Sequence, residues 1–188
     1  LALADESAQV RVAAARGLGG FPSDETCVAL REALDDREPA VAAAAAEALG
    51  QAGDAQAVEA LIRAIGRGGT QPGSPEVLPA MAAVRALARL GAATPQILRQ
   101  AVAHADPEVV KEAVAAAEAL PGAGDVLLVA AHSPRWDVRR AAARAIASRG
   151  DRALLQGLRE LAAQERDSLA AEAFAEAICA LEARPGRD

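Results

Sequence analysis

Aromatic side chains are almost missing from this 188-residue chain: Phe21, Trp136 and Phe174, with no tyrosine, make up 2% of it. Surfaces that hold nucleic acid by stacking bases need several such rings, so their scarcity counts against that class. Cysteine is equally thin. Cys27 and Cys179 stand far apart in apolar helical contexts, without the close spacing of a zinc site or a disulfide framework, and are expected to be buried reduced thiols. No apolar run approaches the roughly 20 residues that span a bilayer, and the chain is expected to be cytoplasmic. Positive charge is not in excess: 20 basic against 26 acidic residues leave a net charge of −6, and neither half is basic. A phosphate-binding surface on nucleic acid or an anionic membrane relies on a clustered positive field, so both partners are disfavoured.

What the chain has instead is alanine. Hydrophobic residues reach 52%, enough for a buried interior, and alanine favours helix while letting helices approach closely. The fold is expected to be all-α, a right-handed α-solenoid of about eleven helices in roughly six helix-pair repeats, forming one domain over 1–188.

The repeat is visible by alignment. ESAQVRVAAARGLGG at 6–20, EPAVAAAAAEALGQ at 38–51, DPEVVKEAVAAAEAL at 106–120, RWDVRRAAARAIASRG at 135–150 and RDSLAAEAFAEAICAL at 166–181 share aliphatic anchors at Val10, Val41, Val109, Val138 and Leu169. The long gap between Val41 and Val109 holds one further helix at 75–91, lengthened by the Gly/Pro-rich loop insert GRGGTQPGSP at 66–75. Shorter amphipathic helices alternate with these, at 24–34, 54–65, 94–105, 124–132 and 151–164, several opened by capping residues Asp24, Asp54, Thr94 or Asp151. Prolines 39, 75, 107 and 134 sit at or just before second helices, where the missing N–H costs nothing. LALADES at 1–7 resembles the tail of a helix, so the first repeat is expected to be incomplete, and a C-terminal tail is expected over 183–188.

These residues resemble HEAT repeats of the short, Ala-rich bacterial form called PBS-lyase-type HEAT-like repeats. The pattern Leu-x-Asp-x-x-Pro-x-Val-Arg-x-x-Ala-Ala-x-Ala-Leu-Gly is met by Leu34, Asp36, Pro39, Val41, Ala44, Ala45, Ala48, Leu49 and Gly50. The resemblance implies that the arginine after the anchor valine is a rung between neighbouring repeats. It is present as Arg11 and Arg139, and replaced by Ala42, Val110 and Ala170, so the stack is expected to rely more on apolar packing.

One stretch is locally basic. Between 135 and 152 six arginines, 135, 139, 140, 144, 149 and 152, face only Asp137 and Asp151. Arg140 and Arg144 are four apart and share a helical face, whereas Arg139 is expected to be the internal rung. Trp136 is expected to pack over the turn between helices, with partner contact as its other role. His104 and His132 each end a first helix and are expected to cap it. They lack the paired carboxylates that the dinuclear iron site of HEAT-type deoxyhypusine hydroxylase requires. No phosphate loop or nucleophile–base pair is evident, so no catalytic residue, cofactor or metal is expected. The expected function is a non-enzymatic scaffold or adaptor that binds an unidentified protein on the concave face, through Arg16, Glu47, Lys111, Glu118, Trp136, Arg140, Arg144 and Glu172. Two alternatives come from the same resemblance: a phycobilisome-type chromophore lyase subunit, and a HEAT-like nucleic-acid-binding or base-excision protein acting through the 135–152 patch.

Overall fold

The computed structural model describes residues 2–67 and 73–183. Among them are eleven α-helices and no strand: α1 (Ala8–Leu18), α2 (Asp24–Ala33), α3 (Pro39–Ala52), α4 (Val58–Ile65), α5 (Leu78–Arg89), α6 (Pro95–Val102), α7 (Pro107–Ala119), α8 (Gly124–Ala130), α9 (Trp136–Arg149), α10 (Leu155–Ala162) and α11 (Ser168–Glu182). Three begin through a 3-10 turn, Ala55–Ala57 before α4, Pro75–Val77 before α5 and Arg152–Leu154 before α10. A fourth such turn covers Ala2–Ala4.

The helix starts follow from local chemistry. Thr94 accepts from the Ile97 amide, and Asp54 and Asp151 accept from the amides of Gln56 and Ala153. Asp24 is not a cap. Ser23 holds that place in a reciprocal capping box with Thr26, and Asp24 is the first helical residue, where its charge favours the dipole. Helices α3 and α9 both stop on a left-handed glycine, Gly53 (φ 74°) and Gly150 (φ 68°), a conformation that side chains with a Cβ resist.

The helices fall into two compact units, residues 1–93 with 104–109, and 94–103 with 110–188. In the first, α3 lies between α1 and α5 and packs also on α2, while α4 packs on α5. In the second, α9 packs on α8 and α11, α8 on α6, and α10 on α11. The long second helices α1, α3, α5, α7, α9 and α11 thus alternate with the short α2, α4, α6, α8 and α10, the helix-pair organisation of the α-solenoid class.

Small residues set the spacing. A Cβ built on Gly19 would lie 2.9 Å from the Cα of Ala48, and one on Gly50 would lie 2.8 Å from the Cα of Ala86. Ala86 therefore occupies in α5 the place of Ala48 in α3, which fixes the alignment of α5 across the insert. The anchors Val41, Val109 and Val138 are fully buried, with Leu49, Leu87, Ile146 and Phe174 behind them. Each is the third residue of its helix. In α11 that place belongs to buried Ala170, not Leu169, because Asp167 caps the helix through the Leu169 and Ala170 amides and sets the register one residue later. Leu169 is largely exposed, as is Val10. Both cysteines are free, yet Cys27 is half-buried and Cys179 exposed, against the expectation of burial. Cys179 is the twelfth residue of α11, the place at which Gly19 and Gly50 meet the next second helix, and no described helix follows α11.

Candidate protein-binding face

Every second helix is entered through the same turn. A side chain two residues before the helix cap accepts the amide of the cap residue: Asp5 from Ser7 (2.8 Å), Asp36 from Glu38 (2.8 Å), His104 Nδ1 from Asp106 (2.9 Å), Ser133 from Arg135 (3.3 Å) and Glu165 from Asp167 (2.8 Å); ahead of α5, Ser74 makes the corresponding bond to the Glu76 amide (3.4 Å) as the cap of the 3-10 turn Pro75–Val77. Four residue types serve because the turn needs only an acceptor.

Where the acceptor is a carboxylate beyond the first turn, it also receives an arginine from the preceding second helix. Arg11 donates to Asp36 at 2.7 and 2.9 Å, and through its other nitrogen to the carbonyls of Asp5 and Glu6. Arg139 grips Glu165 at 2.6 and 2.7 Å and donates to the carbonyls of Ser133 and Pro134. These are the two rungs that the sequence pattern implied. The Arg11 hydrogen bond holds the Asp36 carboxyl below its ordinary value, helped by the Glu38 amide; Arg139 holds Glu165 at about 2. Where the acceptor is Ser133, the fourth residue of the preceding helix is Val110; where it is Ser74, that residue is Ala42. Cation and carboxylate are present together or absent together.

Counted from the first residue of each second helix, the fifth and ninth positions form a short strip on one face of that helix, being one turn apart. The fifth positions include Lys111, Arg140 and Glu172, and the ninth Arg16, Glu47, Arg144 and Glu176; Arg85, the eighth residue of α5, takes the place of Glu47 because Ala86 stands where Ala48 does. Trp136, the first residue of α9, heads the same face and is 39% exposed, so its ring is partly covered and partly open to a partner. Glu118, the twelfth residue of α7, lies off this strip.

The residues differ in what already holds them. Glu47 pairs with Arg85 at 2.8 Å. Lys111 reaches Asp137 at 3.4 Å, and Arg135 meets the same carboxylate at 3.1 Å. Burial pushes Asp137 up, and the two cations outweigh it, leaving the carboxyl lowered. Arg149 is drawn away from the face altogether: one guanidinium nitrogen donates to the carbonyls of Ala117, Glu118 and Leu120 and closes the end of α7. Of the six arginines between 135 and 152, Arg135, Arg139 and Arg149 are thus committed, and Arg152 has an interaction of its own. Arg140 and Arg144 have no ion-pair partner among the described residues. Arg16, at the ninth position of α1, is exposed and also has no ion-pair partner among the described residues.

The histidines divide. His132 Nδ1 sits 2.8 Å from the Leu128 carbonyl and caps α8 as expected. His104 instead serves the start of the following helix as an acceptor. Asp106 beside it, 1% exposed, accepts the amides of Glu108 and Gly73, both at 2.8 Å, and so ties down the end of the insert. Of the 66–75 insert, residues 68–72 lie outside the described residues, as do 184–188 of the expected tail. Among the described residues no group of three His, Cys, Asp or Glu side chains could hold a metal ion, and no helix is long and apolar enough to cross a membrane.

Sequence reasoning missed Arg85, the pairing of Lys111 with Asp137 and the role of Arg149. Arg85 was findable, since it takes the place of Glu47 once α5 is correctly aligned. The reach of Arg149 to carbonyls some thirty residues away in sequence leaves no local signal.

Residues 1–71 match the family model of HEAT repeats. No curated protein matches the sequence. Among solved structures, the chain is similar to the complex of CpcE and CpcF of phycocyanin lyase from Nostoc sp. PCC7120, at 23% identity and a TM-score of 0.54 over 96% of this chain and 79% of that one. Two engineered proteins are also similar, one at 20% identity and TM-score 0.58 over 97% of this chain and 96% of that one, the other at 19% and 0.56 over 96% and 94%. At these identities the likeness is one of fold.

Proposed function

With residues 1–71 matching the family model of HEAT repeats, we propose that the chain is a non-enzymatic, cytoplasmic scaffold that binds a protein partner on the face of its second helices. The observation that carries this reading is the state of the arginines in α9. Long cations that serve folding are paired or cap carbonyls, as Arg139 and Arg149 do. Arg140 and Arg144 serve no such role and stand one turn apart behind a half-open tryptophan, the combination of aromatic anchor and arginine in which interface energy concentrates. Glu172 and Glu176 follow at the same positions of α11, which packs on α9, so the second unit offers a partner a pattern of signed charge, and in the first unit Arg16 holds the ninth position of α1. Such a pattern selects partners and registers them more than it adds raw affinity.

The test is recovery of binding proteins by the wild-type chain and by the Arg140→Glu plus Arg144→Glu variant, each first shown to melt alike. Loss of specific partners from the variant supports the reading; identical recoveries end it. Two other outcomes replace it: salt-dependent binding of duplex DNA that weakens in Arg140→Ala plus Arg144→Ala, or tetrapyrrole absorbance carried through purification, the mark of a chromophore lyase subunit.

A further inference from the structure

The strips of α9 and α11 carry opposite signs at matching positions. Arg140 and Arg144 are the fifth and ninth residues of α9, and Glu172 and Glu176 are the fifth and ninth of α11. Both glutamates are exposed, and like the two arginines they have no ion-pair partner among the described residues. An apolar side chain heads each strip. Trp136, four residues before Arg140, is 39% exposed, and Leu169, three before Glu172 and seven before Glu176, is 42% exposed. The two helices pack on one another within the second unit. Arg139, in the first turn of α9, grips Glu165 in the turn that opens α11, which sets the two helix starts side by side. The face is therefore a positive ridge beside a negative one, with an apolar head on each at the same end.

We propose that this face binds a second copy of the chain, related to the first by a two-fold axis that runs along the helices between α9 and α11. The inference rests on the reading of the second-helix face as a binding face, and names its occupant in the second unit. The rotation exchanges the ridges, laying α9 of one copy over α11 of the other and keeping both helix directions. Arg140 then meets Glu172 of the other copy, Arg144 meets Glu176 and Trp136 meets Leu169, each contact made twice. Charge selects this occupant. A wholly acidic surface would satisfy the arginines and confront the glutamates, and a wholly basic one would do the reverse. The matching surface must carry both signs in exchanged order, at the same spacing and with an apolar head at the same end, and the rotated face meets all three conditions. Exposed ion pairs are individually weak and screened by salt, so the dimer is a reversible one that forms with concentration.

The test is sedimentation equilibrium of the full chain over a concentration series. Wild type shows a monomer–dimer equilibrium that weakens at least about tenfold between about 50 and about 500 mM salt. Trp136 is the single tryptophan, so its emission moves to the blue as the dimer fills. Arg140→Glu plus Arg144→Glu makes the face wholly acidic, and Glu172→Arg plus Glu176→Arg makes it wholly basic. Each variant melts like wild type and stays monomeric where wild type dimerises, and mixing the two restores a one-to-one heterodimer. A dimer that either variant retains alone, or a mixture that does not pair, overturns the proposal. A monomeric wild type whose recovered proteins still change in Arg140→Glu plus Arg144→Glu overturns the second copy and keeps the binding face; a monomer with unchanged recoveries ends both.

Discussion

Arg139 and Glu165 meet in a two-pronged grip, Nε to one carboxylate oxygen at 2.6 Å and a terminal nitrogen to the other at 2.7 Å, joining α9 to the turn that opens α11. The Glu165 side chain is only 3% exposed, so the pair acts where solvent screens it little, and breaking one side strands the other.

Acid should therefore release this joint. A carboxyl held at about 2 in the folded chain against an ordinary 4.5 stabilises the fold fully above pH 4.5, and that contribution disappears as pH falls toward 2. Its size is about 3 kcal/mol. Chemical denaturation across pH 2–6 should show wild type losing stability over that window, and Glu165→Gln should flatten the loss while lowering stability at pH 7.

A missing rung should be installable. Val110 and Ser133 occupy the positions that Arg139 and Glu165 fill one repeat later, and Val110 is buried. Val110→Arg alone should destabilise by leaving a cation without its carboxylate, and Ser133→Glu alone should change little. The double variant should recover a coupling of about 1–3 kcal/mol in a double-mutant cycle. Additive effects would mean that the rung depends on more than its two ends.

Close helix approach should make two glycines behave oppositely. Gly50→Val forces a Cβ within 2.8 Å of the Ala86 backbone, where no side-chain movement relieves it, and should cost about 1–3 kcal/mol. Gly17→Ala meets open space in a helix and should gain up to about 1 kcal/mol. Thermal melts of the two variants side by side distinguish steric spacing from helix propensity.

Arg149 should matter to the fold and not to partners. Replacing it by methionine leaves the carbonyls of Ala117, Glu118 and Leu120 without their shared donor and should cost about 1–3 kcal/mol. Hydrogen exchange should quicken at the end of α7, while recovery of partners stays as in wild type. Altered recovery would place Arg149 on the binding face.

The helix pairs were legible because their signals are local. Alanine runs, prolines at helix starts and the capping residues Thr94, Asp54 and Asp151 each act within a turn of where they stand. Register at the second-helix starts was less legible: Leu169 and Ala170 are both apolar, and only the hydrogen bonds of Asp167 decide between them. Of the face, the shared side of Arg140 and Arg144 followed from spacing. The repeat resemblance set Arg139 apart as a rung, but the commitment of Arg149 was not legible, since the carbonyls that hold it lie about thirty residues away in sequence. Glu47 looked available for the same reason, until Arg85 came alongside it.

The turn that opens each second helix tolerates aspartate, serine, histidine or glutamate, so any repeat can begin by the same bend. The rung does not share that tolerance. A repeat carrying arginine at the fourth place can be followed only by one whose turn is acidic, because otherwise it buries a cation with nothing to meet it. Order along the chain is thereby written into a handful of charges: the repeats are alike in shape but not interchangeable. Moving α1 to stand before the serine turn of Ser133 would strand Arg11. A chain assembled by copying its own units would keep its sequence of neighbours through such matched pairs.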